Sequence, residues 1–506
     1  MDVLNIQGSF KSFFHIVAVL LSLSLIFVLT RLRHMSAYPS LPGPSFLALP
    51  SNALIRTLLC NSCTFTDIMD QLSSSYGSFF GVWIGFSRVV VTSVPSDIVQ
   101  ISFNAKMFPR PARFRQVFNL VAPGCLFSME TEQHQICRKL LRDSFSHNML
   151  RNLCSLMTHS ISELCTLLDH YAACGTPVEI SKLLAATSTS FVTNVALGAD
   201  VAQDERLELV KAAKHLTKEM MIEYVLYPLR QALSRFGSRD KMYECRDRIR
   251  EACQGILNQR MREPKSKKES RNPDVLDAFI DLQGHSRETT VSLIVEMVTA
   301  GSHTTYQILS ACIYEICRSP RIINKIEKEL TRELGDFSLR SPLSPKDVLK
   351  LSYLSKVWKE VCRLHPIATS DIRVAAKDIL LKGSGILVPK GTEIHAQLRG
   401  CHLNKSVWKD AHAFKPERWG NSFEGTKGER VPAGAFVPYG LGQFSCMGRF
   451  FADYVGPLIL AEMYRRHRFT LAPQTDCDRA LCTCLKTRAR PVRLEEGFSV
   501  LVFRRE

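Results

Sequence analysis

The stretch GLGQFSCMGR, Gly440 to Arg449, sets one sulfur, Cys446, in a turn with glycines at 440, 442 and 448. Arg449-Phe-Phe-Ala-Asp453 and an apolar periodic run to Met463 follow, so the turn feeds directly into a helix. A thiolate there would face backbone N–H groups and the positive helix end, which lowers its pKa. Such a sulfur suits a nucleophile or a metal ligand. A lone cysteine is equally a small buried apolar side chain.

Three further constellations could do chemistry or position it. The first lies in a helix expected over Ser286 to Cys317 and stopped before Pro320. Its middle, Thr299-Ala-Gly-Ser-His-Thr-Thr305, consists largely of weak helix formers. Gly301 removes a side chain, and Thr304 and Thr305 can bond back to carbonyls one turn earlier. Either a helix crossing needs small residues there, or a groove lets a small ligand and a water meet a hydroxyl. The second is Lys359-Glu-Val-Cys-Arg363, where Glu360 and Arg363 share a helix face. The third, Phe414-Lys-Pro-Glu-Arg-Trp419, offers Arg418 as a second cation for Glu360. On the surface such a pair contributes little; buried, the triad acts as a specific lock more than as net stability.

The elements that must carry these residues form one long chain of 506 residues. Its 45% hydrophobic and 22% charged content suits a globular protein with a real core. Ser78 to Thr92 reads as a strand hairpin, helical periodicity dominates from Glu130 to about Ala300, and strand signals return at Ile386–Val388 and Phe498–Phe503. A mainly α domain with small β-sheets (α+β) is expected, undivided. The 17 cysteines lack the short chain and regular spacing of a disulfide framework, and most lie singly among apolar residues, as buried thiols in a reducing compartment do. Cys60 and Cys63 form the only CxxC, with no second pair at zinc spacing. The formal net charge of +17 suits an anionic membrane surface or an acidic partner. Zinc-finger spacing and RNA-binding aromatic motifs are both missing, which places nucleic acid last.

Phe13 to Thr30 carries no Asp, Glu, Lys or Arg; as a helix its 18 residues span roughly 27 Å, near the thickness of bilayer hydrocarbon. Arg31, Arg33 and His34 follow at once, which puts the bulk of the chain in the cytosol. The run is long for a cleaved signal peptide, and its positive cluster lies on the wrong side. The expected organisation is a luminal tail (1–12), a transmembrane anchor (13–30), a basic, proline-rich hinge (31–50) and a catalytic domain (51–506).

Taken in order, the chemical constellations resemble those of the cytochrome P450 family of heme-thiolate monooxygenases: Ala-Gly-x-x-Thr-Thr on a helix, Glu-x-x-Arg, Pro-Glu-Arg-aromatic, then Gly-x-x-x-Cys-x-Gly. Each motif is weak alone; their shared order and spacing are specific. With the anchor and hinge, which match the microsomal type, the resemblance covers essentially the whole chain. It implies the family's fold behind a single amino-terminal transmembrane helix, heme b as cofactor, O2 as co-substrate, and electrons from NADPH through a cytochrome P450 reductase, with cytochrome b5 as a further donor. It implies that Cys446 is the axial iron ligand, whose thiolate donation promotes O–O cleavage. Gly442 and Gly448 would let the loop pass close under the porphyrin. Glu360, Arg363 and Arg418 would be the structural triad. Thr304, beside Gly301, would steady dioxygen and relay protons, while Arg138 and Arg373 would anchor propionates.

Three positions depart from the family pattern. Tyr439 stands for its usual Phe. Phe444 stands for its usual Arg or His and cannot bind a propionate, so heme should lean on Arg138, Arg373 and His134, the last where many relatives have Trp. His303 replaces the usual acid; histidine titrates near neutrality and can shuttle protons. The run ending in His-Thr-Thr, and Gly-Arg-Phe-Phe-Ala after the cysteine, are similar to filamentous-fungal enzymes that oxidise terpenoids, meroterpenoids or alkaloids in secondary metabolism. The implied activity is oxidation of an apolar small molecule from the endoplasmic reticulum membrane. The alternatives are a reductase-independent heme-thiolate isomerase or dehydratase and a non-catalytic heme protein. Candidate substrate-lining stretches are Phe118 to Leu126, Ile294 to Gly301 and Ile367 to Ser370.

Overall fold

The computed structural model describes residues 41–44, 65–84, 87–145, 154–199, 201–232, 240–264, 273–282, 285–335, 342–420, 431–473 and 498–505, with Ser22 and Ser266 besides. The anchor expected over Phe13 to Thr30 lies, but for Ser22, outside these residues, as does most of the hinge. Among the described residues no helix is long and apolar enough to cross a membrane.

The aromatic and β-branched hairpin forms where its composition directs. Strand β1 (Phe79–Ile84) pairs antiparallel with β2 (Ser87–Thr92), Phe79 opposite Thr92. β2 runs parallel to β7 (Glu393–Gln397), which pairs antiparallel with β4 (Ser370–Val374), completing a four-stranded sheet. β3 (Val178–Glu179), β9 (Ser499–Arg504) and β8 (His467–Leu471) make a three-stranded sheet in that order. β5 (Ile379–Leu381) and β6 (Ile386–Val388) make a hairpin. Helices account for most of the remainder, as expected for a mainly α fold with small sheets.

The central helix, Arg287–Cys317, organises the interior. Ser286 caps it, its hydroxyl accepting the Thr289 N–H at 3.2 Å, which satisfies one orphan donor of the first turn. Its carboxyl half, from Tyr306 to Ile316, belongs to one core cluster with the Ser352–Leu364 and Arg449–Arg466 helices. Its amino half, Val291 to Val298, belongs to another with parts of the Ala112–Val121, Thr131–Leu141 and Asp240–Met261 helices. The weak helix formers Thr299 to Thr305 fall between the two cores. There Ala300 and Thr304, one turn apart, are exposed in a helix that is otherwise largely buried. Gly301 has a different reason: a Cβ on it would stand 2.8 Å from Val192 Cγ2, so its size serves a close helix crossing. The crossing and the groove are both real, on neighbouring faces of one turn.

Candidate functional site

The loop around Cys446 is built from local hydrogen bonds. The Cys446 amide donates to the Tyr439 carbonyl at 2.8 Å, and the Ser445 amide to Gly442 O at 3.2 Å. Gly442 has φ +65°, and a Cβ there would lie 2.1 Å from Ser102 O. Its glycine is thus demanded by a left-handed turn pressed against the Pro95–Phe103 helix. Gly448 is the N-cap of the Arg449–Arg466 helix, with ordinary φ −76°. The Tyr439 hydroxyl donates to Asp453 Oδ1 at 2.6 Å, and Trp358 Nε1 donates to the same oxygen at 3.2 Å. The hydroxyl that distinguishes Tyr439 from phenylalanine therefore ties the loop to two helices.

Cys446 is a free thiol, exposed by surface area although protein surrounds it in depth, so it faces an internal hollow. Burial raises its pKa; the Gly448 amide and Arg138 oppose that rise. The lowered pKa expected from the helix end is thus outweighed by desolvation. A metal bound to the sulfur would reverse the balance, because coordination deprotonates a thiol outright.

His134 and Arg138 lie one turn apart on the Thr131–Leu141 helix, beside the loop. Arg138 donates through Nη1 to Ser445 O and through Nη2 to Ser445 Oγ at 3.0 Å, and Gln443 Nε2 donates to Thr131 O at 2.6 Å. Phe444 is the hub between them. The guanidinium of Arg110 stands 4.3 Å from its ring centroid and that of Arg373 4.4 Å, while the His134 ring is 4.7 Å away. Arg110 was not singled out by any sequence signal. It is nearly fully buried, and burial together with repulsion from Arg373 lowers its pKa to about 10. Burial also lowers Arg138 and Arg373, and pushes His134 down to about 3, leaving it neutral. Asp371 pairs with Arg373 at 2.6 Å, yet Arg373 Nε remains a buried donor without an acceptor among the described residues. Three guanidiniums facing two carboxylates, Asp371 and Glu296, with a donor unsatisfied, call for added anions. The propionates of the expected heme fit that demand, and the free thiol fits its iron.

Phe444 is thus an aromatic rest for two cations, and Arg110 supplies the cation its position lacks. In Phe444→Leu both ring contacts disappear. Each is worth about 0.5–2 kcal/mol, so heme release to excess apomyoglobin should accelerate about tenfold. An unchanged rate would show that the guanidiniums hold their places without the ring.

On the central helix, Thr304 Oγ1 donates to Ala300 O at 2.8 Å and Thr305 Oγ1 to Gly301 O at 2.7 Å, the back-bonding expected. Thr304 is exposed and Thr305 buried, so Thr304 presents its hydroxyl to accessible space. His303 bonds Gln307 at 3.1 Å and approaches the Tyr306 hydroxyl at 3.3 Å. Burial, helped by Lys214, lowers its pKa to about 4, so it does not titrate near neutrality as the sequence suggested. His303→Gln should therefore leave the pH profile of product formation unchanged between pH 6 and 8; loss of an inflection in that window would return His303 to the proton path.

Glu360, Arg363 and Arg418 are fully buried together. Glu360 accepts from Arg363 at 2.8 Å and from Arg418 at 2.9 Å. Arg363 also donates to the carbonyls of His402 and Ala411, and Arg418 to that of Lys409. The triad thus fixes the segment leading to the Cys446 loop, and His402 Nε2 then accepts the Val437 N–H at 2.9 Å. Of the expected lining, Ile294, Val295 and Val298 are core, whereas Phe118, Leu126, Ala300 and Ile367 to Ser370 keep accessible surface.

The family model described as Cytochrome P450 matches residues 44–494. The chain is 24% identical over 419 residues to geraniol 8-hydroxylase of Catharanthus roseus, covering 79% of this chain and 82% of that protein. It is 24% identical to cytochrome P450 3A29 of Sus scrofa, over 81% of this chain and 82% of the other. Corytuberine synthase of Coptis japonica is 24% identical, with 79% and 82% covered.

Proposed function

The chain belongs to the cytochrome P450 family, and from that premise we propose that it oxidises an apolar small molecule, of terpenoid, meroterpenoid or related kind, in fungal secondary metabolism, from an anchored position on the endoplasmic reticulum. The enzyme class is that of its family, a monooxygenase using heme, O2 and electrons from a reductase. The observation that carries the reading is a free thiol on an internal hollow beside the buried guanidiniums of Arg110 and Arg373 and the half-buried one of Arg138, which outnumber the carboxylates facing them, Asp371 and Glu296.

Bound heme would supply the oxygen activation. Cys446 Sγ would ligate its iron, and Arg110, Arg138 and Arg373 would take its carboxylates. The Gly448 amide and Arg138 favour the thiolate form of Cys446. With its proton given to the Ala300 carbonyl, Thr304 Oγ1 turns its lone pairs outward to accept a proton donor at the reacting face. The apolar wall of Phe118 and Leu126 would hold a greasy substrate and keep water out. A geraniol 8-hydroxylase among the relatives supports a small apolar substrate. The run Phe13 to Thr30 and the arginines after it support the anchor, and the charge of +17 supports docking of an acidic NADPH-dependent reductase, with cytochrome b5 as second donor.

The test is product formation by microsomes in 18O2. Label should enter product only with NADPH and reductase present; turnover without the reductase would sink the oxygenase reading in favour of isomerisation or dehydration.

A further inference from the structure

The backbone of Leu126 is held from two sides. Its N–H donates to Glu296 Oε2 at 2.8 Å, and its carbonyl accepts from Arg110 Nη1 at 2.8 Å. Glu296 lies on the central helix two turns before Thr304, in line with Ala300. Arg110 rests on Phe444, two residues from Cys446. Arg110 also stands 5.0 Å from the ring of Phe127, which stacks on Phe118 at 4.8 Å. One residue's backbone thus joins the central helix, the wall over Phe118 to Phe127 and the Cys446 loop.

We propose that Glu296 is a positioning residue of the cofactor pocket: through the Leu126 backbone it keeps Arg110 on Phe444 and so braces the Cys446 loop from the opposite wall. This rests on the heme-thiolate reading of the same site. The Leu126 N–H and C=O lie in neighbouring peptide planes that share one Cα, so the residue is pinned on both flanks. The second plane also turns its Phe127 amide toward Glu296, so loss of that carboxylate loosens both planes and the acceptor that holds Arg110.

The clamp has a titratable half. Burial pushes the Glu296 carboxyl up to about 7, against the Leu126 and Phe127 amides and Arg110, which favour its charged form. The other groups facing it are Arg110, which stays cationic, and Cys125 and Cys137, whose thiols burial keeps neutral. His134, beside Arg110, is neutral throughout this range. Glu296 therefore changes charge between pH 6 and 8. Above about 7 its carboxylate accepts a charge-assisted bond and attracts Arg110; below, it is a neutral acceptor and the clamp loosens.

The experiment follows heme transfer from the full-length holoprotein to excess apomyoglobin between pH 6 and 8, in wild type, Glu296→Gln and Glu296→Leu. Wild type should release heme about fivefold faster at pH 6 than at pH 8, the difference between a charged and a neutral hydrogen bond. Glu296→Gln, which keeps an acceptor but no charge, should hold the low-pH rate throughout. Glu296→Leu should be faster still. A pH-independent wild type, or a glutamine variant with the wild-type profile, overturns the proposal even if Glu296→Leu does not fold. The reduced carbon monoxide spectrum separates the two claims. A wild type without a thiolate band defeats the heme-thiolate reading itself; a normal band with matching wild-type and glutamine profiles defeats only the role of Glu296.

Discussion

Cys446→Ala should abolish the red-shifted Soret band expected of the reduced, carbon monoxide-treated wild-type protein in microsomes. That band reports a thiolate on heme iron, and the residues around the hollow leave one sulfur suited to the task. Cys125 and Cys137 are buried and their thiols are held neutral, with desolvation as the first cause. Cys446 alone among the cysteines near these guanidiniums is accessible, with the Gly448 amide and Arg138 favouring its charge. The variant should remain folded, because Cys446 contributes little to the cores and the hydrogen bond its N–H donates to the Tyr439 carbonyl involves only backbone. Heme taken up weakly without the thiolate would show an unshifted band. A red-shifted band in the alanine variant, or its absence from folded wild type, would remove Cys446 as the ligand.

Glu360→Ala should be the most damaging change away from the hollow. It removes the carboxylate that two guanidiniums with no exposed surface, Arg363 and Arg418, share. Breaking a buried charge set by deleting one partner costs about 3–5 kcal/mol, against a whole-domain stability of about 5–15 kcal/mol. The lost acceptor also served the Lys415 amide at 3.0 Å and Trp419 Nε1 at 3.1 Å, so the segment before the Cys446 loop loses its register. We expect little folded holoprotein and a strongly lowered melting temperature for what is recovered. Glu360→Gln should be milder, since it keeps an acceptor. Exposed Glu208, paired with Lys211 at 2.6 Å, provides the contrast: Glu208→Ala should leave the melting temperature unchanged. Equal melting of the Glu360 and Glu208 variants would reduce the triad to an ordinary ion pair.

Motifs whose parts lie close in sequence could be read without coordinates. The helix from about Ser286 to Cys317, the back-bonding of Thr304 and Thr305, the shared face of Glu360 and Arg363, and the helix that begins after Cys446 all depend on the spacing of a helix or turn. So do the hairpin from Ser78 to Thr92 and the strands at Ile386 and Phe498. Their ordering along the chain was enough to bring out the family resemblance, because the order of motifs is a property of sequence.

Other features depend on residues far apart in sequence meeting in space. Arg138 reaches Ser445 across 307 positions and Glu296 reaches Leu126 across 170. Nothing in the run around Arg110 marks it as a neighbour of Phe444. The packing of Val192 against Gly301 identifies the partner in a helix crossing that composition only allowed, and that of Ser102 against Gly442 is a contact no motif marked. Charge state is likewise a tertiary property: desolvation lowers His303 and raises Cys446 and Glu296, and burial depth is decided by what the whole chain folds around each group. The sequence by itself therefore determined which groups do the chemistry and which local elements carry them. The tertiary structure decided which cations surround Phe444, how the Cys446 loop is braced, and which groups can exchange a proton near neutrality, because these follow from long-range contacts and from the removal of water.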